Sequence, residues 1–322
     1  MLIKDLIRRG VKALGELYPE AEARSLVLML CQERLGVMSW THVVEPGTVV
    51  PDDELPGLQD DLARLAAGEP IQYILGYTEF RGRIFKTDPR ALIPRIETEL
   101  LVEEVVSRRG GGSTSPFGSS AEPHPTTKGG PPASVPRVAR PSGASAAATL
   151  QVLDLCTGSG CIAWSLAYEL PGAVVTGADI SEDALALARS QFRRLPKGVV
   201  RPTFMKGDIL DFDTPFPQCD ILTANPPYIT LPEKKFMRPN VLDWEPEVAL
   251  FAPESDPLAF HKAIAVWARR LLRQGGFGIV EINEDLGPES LAVFKSFRNV
   301  RLVEDFAGKS RFVAFENLEG QS

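Results

Sequence analysis

The sequence predicts an α/β protein, an open and mostly parallel sheet with helices on both faces, preceded by a small helical bundle; three observations predict it. Strand-like and helix-like segments alternate from residue 150 to the end of the chain. Residues 151–163 pass from an apolar run through a glycine-rich turn into a helical pattern. The first 68 residues carry apolar side chains at helical spacing only.

At 322 residues and 44% hydrophobic content the chain can build a sizeable core and two domains. Its apolar runs are broken before they could span a bilayer, so neither a transmembrane segment nor a signal peptide is expected. Arg8 and Arg9 on an amphipathic start suit a mitochondrial presequence, whereas Asp5, Glu16 and Glu20 do not. The expected location is the cytoplasm, with the mitochondrial matrix as the alternative. Cys31, Cys156, Cys161 and Cys219 lack CxxC spacing, and His42, His124 and His261 lie far apart. Neither a metal site nor a disulfide is expected, and the cysteines read as small buried hydrophobes. A net charge of −7 argues against a protein built to grip phosphate backbones.

In chain order, Leu2, Ile3, Leu6, Ile7, Val11, Leu14 and Leu17 predict a first helix, and Ala23, Leu26, Val27, Leu30 and Cys31 a second after Pro19. A third is expected at 55–67, stopped by Gly68. These helices make a domain over 1–69. Short β-prone pieces at 71–74 and 83–87, with Gly and Asp-Pro turns, predict a connecting hairpin over 70–94. A helix then starts after Pro94, with Glu97 and Glu99 in a first turn that favours acids. Between 108 and 149, Gly, Ser and Pro supply 21 of 42 residues, which predicts a disordered insertion within a domain running from 95 to 322. That stretch carries a charge of +4, leaving −11 for the rest.

Beyond it, strands are expected at 151–155, 174–178, 200–205, 220–224 and 276–282, with helices at 162–170, 182–194, 257–273 and 286–297. Two last strands, 301–305 and 311–315, are close enough to pair antiparallel across Gly308. In such sheets ligands bind beyond the carboxyl ends of the strands.

The turn Cys156-Thr157-Gly158-Ser159-Gly160 sits at such an end. Gly158 and Gly160 let the backbone approach a ligand, and the helix that follows offers free N–H groups to an anionic group. Asp179, at the end of the next strand, can accept both hydroxyls of a ribose. Together they indicate an adenosine-containing cofactor. Gly158, Gly160 and Ala163 also satisfy the dinucleotide fingerprint G-x-G-x-x-A, so the turn alone leaves NAD open. Asp154 before the turn, and a second motif downstream, favour S-adenosylmethionine.

That second motif, Asn225-Pro226-Pro227-Tyr228, follows the strand at 220–224 and so lies at the same sheet edge. The two prolines stiffen the turn and remove its N–H groups, leaving carbonyls as acceptors. An amide or exocyclic amine is a weak nucleophile because its lone pair is delocalised. Bonds from its NH2 to the Asn225 side-chain oxygen and the Pro226 carbonyl would aim that lone pair and stabilise charge growing on nitrogen. Tyr228 can cover a planar substrate with its ring. Asn225, Pro226 and Tyr228 are thus the catalytic candidates, and Asn225, Pro226, Pro227 and Tyr228 the substrate-binding ones.

With these residues in view, the chain resembles the release-factor glutamine methyltransferases (HemK/PrmC family) over nearly its whole length outside 108–149. The match is carried by Pro70-Ile71-Gln72-Tyr73-Ile74-Leu75-Gly76, Leu92-Ile93-Pro94-Arg95, the run from Asp154 to Gly160, the Asn225 motif, and Glu245-Pro246 with Ala249-Leu250. The resemblance implies a seven-stranded, Rossmann-like class I methyltransferase domain behind a helical domain that recognises the factor. It implies S-adenosylmethionine-dependent N5-methylation of the glutamine in a Gly-Gly-Gln motif of peptide chain release factors. It puts the methionine part of the cofactor on Cys156, Thr157, Gly158, Ser159 and Gly160, ribose on Asp179, adenine near Asp208 and Ile209, and the glutamine on the Asn225 motif. Asn225 thereby belongs to both ligands.

Two positions depart from the family pattern: Ile96 stands where a second proline is usual, and Asn283 where Glu-Ile-Gly is usual after the fifth strand. They leave the roles of Arg95 and Glu281 open between function and structure. The alternative reading is a DNA adenine or cytosine N-methyltransferase, which uses a similar Asn/Asp-Pro-Pro-Tyr turn but needs a basic target-recognition domain that this chain lacks. A non-catalytic scaffold would let the cofactor turn or Asn225 decay, and both are intact. A monomer acting on a folded protein, with no nucleic acid as substrate and no membrane, is expected.

Overall fold

The computed structural model describes residues 1–109 and 149–317, and the stretch expected to be a disordered insertion falls, at 110–148, outside the described residues. Its amino-terminal part is a bundle of α1 (Ile3–Leu14), α2 (Glu20–Leu35), α3 (Thr41–Val44), α4 (Leu55–Ala66) and α5 (Ile71–Leu75). Leu6, Ile7, Leu14, Val27, Leu30, Leu58 and Leu65 form its buried core. Buried Asp61 is held by Arg34, whose Nε donates to it at 2.6 Å.

The first expected strand of the hairpin, 71–74, is instead α5. A short apolar run is equally compatible with either state until its surroundings are known. Here Ile71 and Ile74, one helical turn apart, both enter the bundle core, while Tyr73 turns away to donate from its hydroxyl to Ala91 O at 2.9 Å. Gly76, in the left-handed conformation at φ 80°, stops the helix. The hairpin proper follows as β1 (Tyr77–Phe80) and β2 (Arg83–Lys86), paired antiparallel. Arg81 at its turn fastens it to the body through ion pairs with Glu103 and Glu169.

After α6 (Glu99–Arg109) come β3 (Gln151–Leu155), α7 (Cys161–Glu169), β4 (Val174–Asp179), α8 (Glu182–Arg189), β5 (Thr203–Lys206) and β6 (Cys219–Ala224). The chain ends with α10 (Ala259–Leu271), β7 (Leu272–Glu281), α11 (Gly287–Val293), β8 (Arg298–Glu304) and β9 (Ser310–Glu316). Between β6 and α10 lie three short turns of helix that sequence periodicity does not show, at Leu231–Phe236, α9 (Pro239–Leu242) and Glu247–Ala249. The seven strands run in the order β5-β4-β3-β6-β7-β9-β8. All neighbours are parallel except β9, which is antiparallel to both β7 and β8, as the turn at Gly308 predicts. The order reverses between β3 and β6, so the two segments leaving their carboxyl ends diverge and open a crevice there.

Several bounds differ from expectation. β5 begins at Thr203, because Pro202 has no N–H to give to the ladder. Helix α8 stops at Arg189, and Gln191 just beyond it uses its amide to bond the N–H and C=O of Lys86 and the C=O of Ser159. That one side chain ties the hairpin to the glycine-rich turn.

Alternate residues of each central strand feed two cores. Val152, Ile221, Phe277, Ile279 and Phe312 pack with α6 and α7 on one face. Leu153, Leu155, Leu222, Val280, Val313 and Phe315 pack with α10 and α11 on the other. Among the described residues no helix is long and apolar enough to cross a membrane. All four cysteines are free; Cys31, Cys161 and Cys219 are buried as expected, but Cys156 is half-buried and lines a cavity.

Gly278 in β7 faces the Phe315 ring, and a Cβ there would lie 2.3 Å from it. That ring is wedged between Phe294 and Phe297, with centroids 4.6 Å away on both sides. Gly278→Ala should therefore destabilise the protein by about 1–3 kcal/mol, the usual cost of overpacking a core, read as a lower denaturant midpoint.

Candidate active site

The glycine-rich turn leaves β3 at Leu155 and enters α7 at Cys161. Cys156, Gly158 and Gly160 all have positive φ, at 55°, 52° and 79°, so the chain reverses within five residues. For Cys156 this is a strained conformation of the kind that gathers at functional sites. Beneath the turn lies Asp154, fully buried. Its carboxylate accepts from Thr157 Oγ1 at 2.6 Å and from Thr223 Oγ1 at 2.8 Å. One buried group thus ties the turn to β6, the strand that carries Asn225. Burial pushes the Asp154 carboxyl up to about 7, against the lowering effect of the two threonine hydroxyls.

Above the turn is a cavity of about 200 Å³ walled by Cys156, Thr157, Gly158, Ser159, Asp179, Asp208, Ile209, Asn225 and Pro227. Asp179 accepts from Gly158 N at 2.8 Å and from Ser181 N at 2.9 Å. Burial raises its pKa, and those N–H groups oppose the rise. A carboxylate has about four lone-pair positions, so beside the backbone N–H groups of Gly158, Ser181 and Ile180 Asp179 retains capacity for a further donor. Asp208 both lines the cavity and caps the next turn by accepting from Leu210 N at 2.8 Å. Ile209 is buried, and its carbonyl accepts from Trp267 Nε1 at 2.8 Å.

Gly160 does not line the cavity. It is enclosed by Ala188, Trp164 and Phe204, at 3.0–3.2 Å from where a Cβ would sit, and its part is to start α7. The remaining wall fits an adenosyl cofactor. Gly158 has nothing within 4 Å of its missing Cβ, Asp179 has a free acceptor position, and exposed Ile180 and Leu210 offer apolar surface to a planar base.

A second cavity of about 210 Å³ lies beside the first, walled by Pro226, Tyr228, Ile229, Met237, Val241 and Leu250. Leu92, Arg95, Asn225 and Ala249 belong to both walls, so the two spaces meet at these side chains. Of the residues that the sequence singles out, Asn225 stands at this seam, Pro226 and Tyr228 face the second cavity, and Pro227 faces the first.

The helix expected to start after Pro94 begins only at Glu99, and the segment from Ala91 to Thr98, which turn chemistry split between the hairpin and that helix, instead roofs the first cavity. Buried Glu245 holds it: its carboxylate accepts from Ile93 N at 3.1 Å and from Arg95 at 2.5 Å. Thr98 donates to the buried Glu281 carboxylate at 2.8 Å, and Tyr228 OH donates to the same group at 3.1 Å. Pro246, Val248 and Phe260 complete the wall. The signal available for Arg95 and Glu245 was the Pro-Arg and Glu-Pro pairs within the quoted motifs; nothing local marks Phe260.

Residues 5–76 match the family described as PrmC N-terminal domain, and residues 152–238 the family described as Methyltransferase domain. The release factor glutamine methyltransferase of Bacteroides thetaiotaomicron is 37% identical over 94% of this chain and 95% of its own length. That of Flavobacterium psychrophilum is 32% identical over 97% of this chain and 98% of its own. A third, from Neisseria gonorrhoeae, is 35% identical over 91% of this chain and 92% of its own. The chain belongs to the release factor glutamine methyltransferase family. In this family member the sheet is the seven-stranded, mostly parallel one expected of a methyltransferase domain.

The buried carboxylate of this methyltransferase has a measurable consequence. Asp154 holds its proton more tightly when folded, since its pKa rises from 3.8 to about 7. Its contribution to stability is therefore complete below 3.8 and is lost as pH rises through about 7. Melting curves across that interval should show the wild-type protein losing stability with rising pH. In Asp154→Asn the slope should be flatter, because that proton equilibrium is gone.

Proposed function

We propose that the chain transfers a methyl group from S-adenosylmethionine to the side-chain amide nitrogen of the glutamine in the Gly-Gly-Gln motif of a peptide chain release factor. One observation carries the reading. The cavity suited to an adenosyl cofactor and the cavity edged by the proline turn share a wall at Asn225, so two ligands there can touch only across that seam.

When bound, the cofactor supplies an electrophilic methyl group on a sulfonium, a leaving group that needs no acid. The work left to the protein is orientation and dehydration. Asn225 Oδ1 and the Pro226 carbonyl accept from the two N–H groups of the acceptor amide, which turns the nitrogen lone pair toward the first cavity. Their partial negative charge also opposes the positive charge that grows on nitrogen. Holding reactants in line is worth roughly 7–11 kcal/mol of barrier, so no strong general base is required and the surplus proton leaves to water. Tyr228 walls the acceptor cavity with its ring. Thr157, Gly158 and Ser159 receive the methionine part, Asp179 the ribose, and Asp208 and Ile209 the base.

Exposed Ile96 and Phe236 flank the wall residues Arg95 and Met237 and offer apolar contact to a protein acceptor. The bundle grips that protein away from the glutamine, and the enzyme acts as a monomer in the cytoplasm.

Radiolabelled transfer onto purified release factor, its Gln-to-Ala variant and plasmid DNA tests the reading. Label should appear on the unmodified factor only, and label on DNA or equal label on both proteins would overturn it. Asn225→Ala should lower kcat by about 10²–10³, the typical loss for one charge-stabilising group, with cofactor affinity little changed.

A further inference from the structure

The Asn225 amide can act as acceptor-binding group only if its oxygen, and not its NH2, faces the seam. Distance alone does not distinguish the two ends of an amide, but hydrogen-bond bookkeeping does. Asn225 touches Thr98, with 3.4 Å between Nδ2 and Oγ1. The hydroxyl of Thr98 has one proton, and that proton goes to Glu281 Oε2 at 2.8 Å. An ionised carboxylate only accepts. Thr98 is therefore left with lone pairs alone toward Asn225, and only the NH2 end of Asn225 can satisfy them. The other Glu281 oxygen is occupied by Tyr228 OH at 3.1 Å, so the carboxylate holds one residue from each side of the seam, Thr98 of the first cavity and Tyr228 of the second.

We infer that Glu281 is a positioning residue, which through Thr98 sets the polarity of the Asn225 amide and so presents its Oδ1 to the methyl-accepting nitrogen. This rests on the acceptor-binding role of Asn225 proposed above. Thr98 and Glu281 are 183 residues apart in sequence and both buried, so a solvating role does not account for the contact.

Protonation of Glu281 reverses the chain of donors. A protonated Oε2 gives its hydrogen to Thr98, which then donates to Asn225 and turns the amide over. Burial pushes the Glu281 carboxyl up to about 7, so this reversal falls within an accessible pH range. The groups that face it are Tyr228 from the proline turn, Glu97 from the roof segment, Arg311 from β9, Cys161 from α7 and the His261 ring from α10, whose Nε2 bonds the Glu281 carbonyl at 3.0 Å.

The test compares Thr98→Val, which keeps the shape and removes the relay, with Thr98→Ser, which keeps the hydroxyl. Turnover on release factor, acceptor and cofactor KM, and melting temperature are read for each. Thr98→Val should lose about tenfold to a hundredfold in kcat, the usual loss when the group orienting a ligand-binding side chain is removed, with cofactor KM unchanged. Thr98→Ser should restore turnover to near wild type. Wild-type kcat should fall with acidification through the Glu281 range, and the Val variant should lack that limb.

Equal turnover of the Val variant and the wild type, with Asn225→Ala inactive, would overturn the positioning role while leaving Asn225 in place. Equal losses in the Val and Ser variants would overturn it too. An active Asn225→Ala would instead overturn the reading beneath it. Should Thr98→Val fail to fold, the wild-type profile against that of Glu281→Gln decides: an unchanged acid limb in the Gln variant refutes the inference.

Discussion

One buried carboxylate, Asp154, holds together the two halves on which the site depends. Its oxygens take hydroxyl protons from Thr157 in the cofactor turn and from Thr223 in the strand that ends at Asn225. Those strands are parallel neighbours, with Asp154 registered directly beside Thr223. The register sets the height at which the two loops leave the sheet, and the carboxylate keeps one from shifting against the other. Removing an acid from water is costly unless its lone pairs are filled, and here neighbouring hydroxyls fill them.

The same device recurs around the site. Glu245 is buried where it fixes the roof segment through Ile93 and Arg95, and Glu281 where it holds Thr98 and Tyr228. Three separate loops converge on the seam, and none has a regular ladder of its own to fix it. Loops without ladders need other partners for their polar groups, and a buried carboxylate with several acceptor positions can serve two loops at once. The arrangement sacrifices some stability near neutral pH, since burial raises the Asp154 and Glu281 pKa values toward that range. Sites that must present charged or polar groups in a dry cleft carry such a cost.

Asn283, which stands where the family resemblance implies a glycine, extends the pattern. Its amide donates to the Tyr228 carbonyl and to both oxygens of Glu233, and its own oxygen caps Asp285 N. Glu233 in turn closes a capping box with Thr230. The segment just after the proline turn is thereby tied to the end of β7.

Residue pattern alone determined the layered α/β fold, the antiparallel pair at its end, the helical bundle before it, and the two motifs that meet at one sheet edge. Each of these is local: a strand of alternating partners, a glycine turn into a helix, or a proline pair after a strand is specified by neighbours within a few residues. Only the tertiary structure decided whether residues 71–74 would be strand or helix, because that turned on Ile71 and Ile74 finding the bundle core. It alone placed Arg95, Thr98, Glu245 and Glu281 around the seam and withdrew Gly160 from the cavity wall. Those partners are brought together from opposite ends of the chain by burial and hydrogen-bond satisfaction, which depend on what faces a group in space and leave no periodic trace along the sequence.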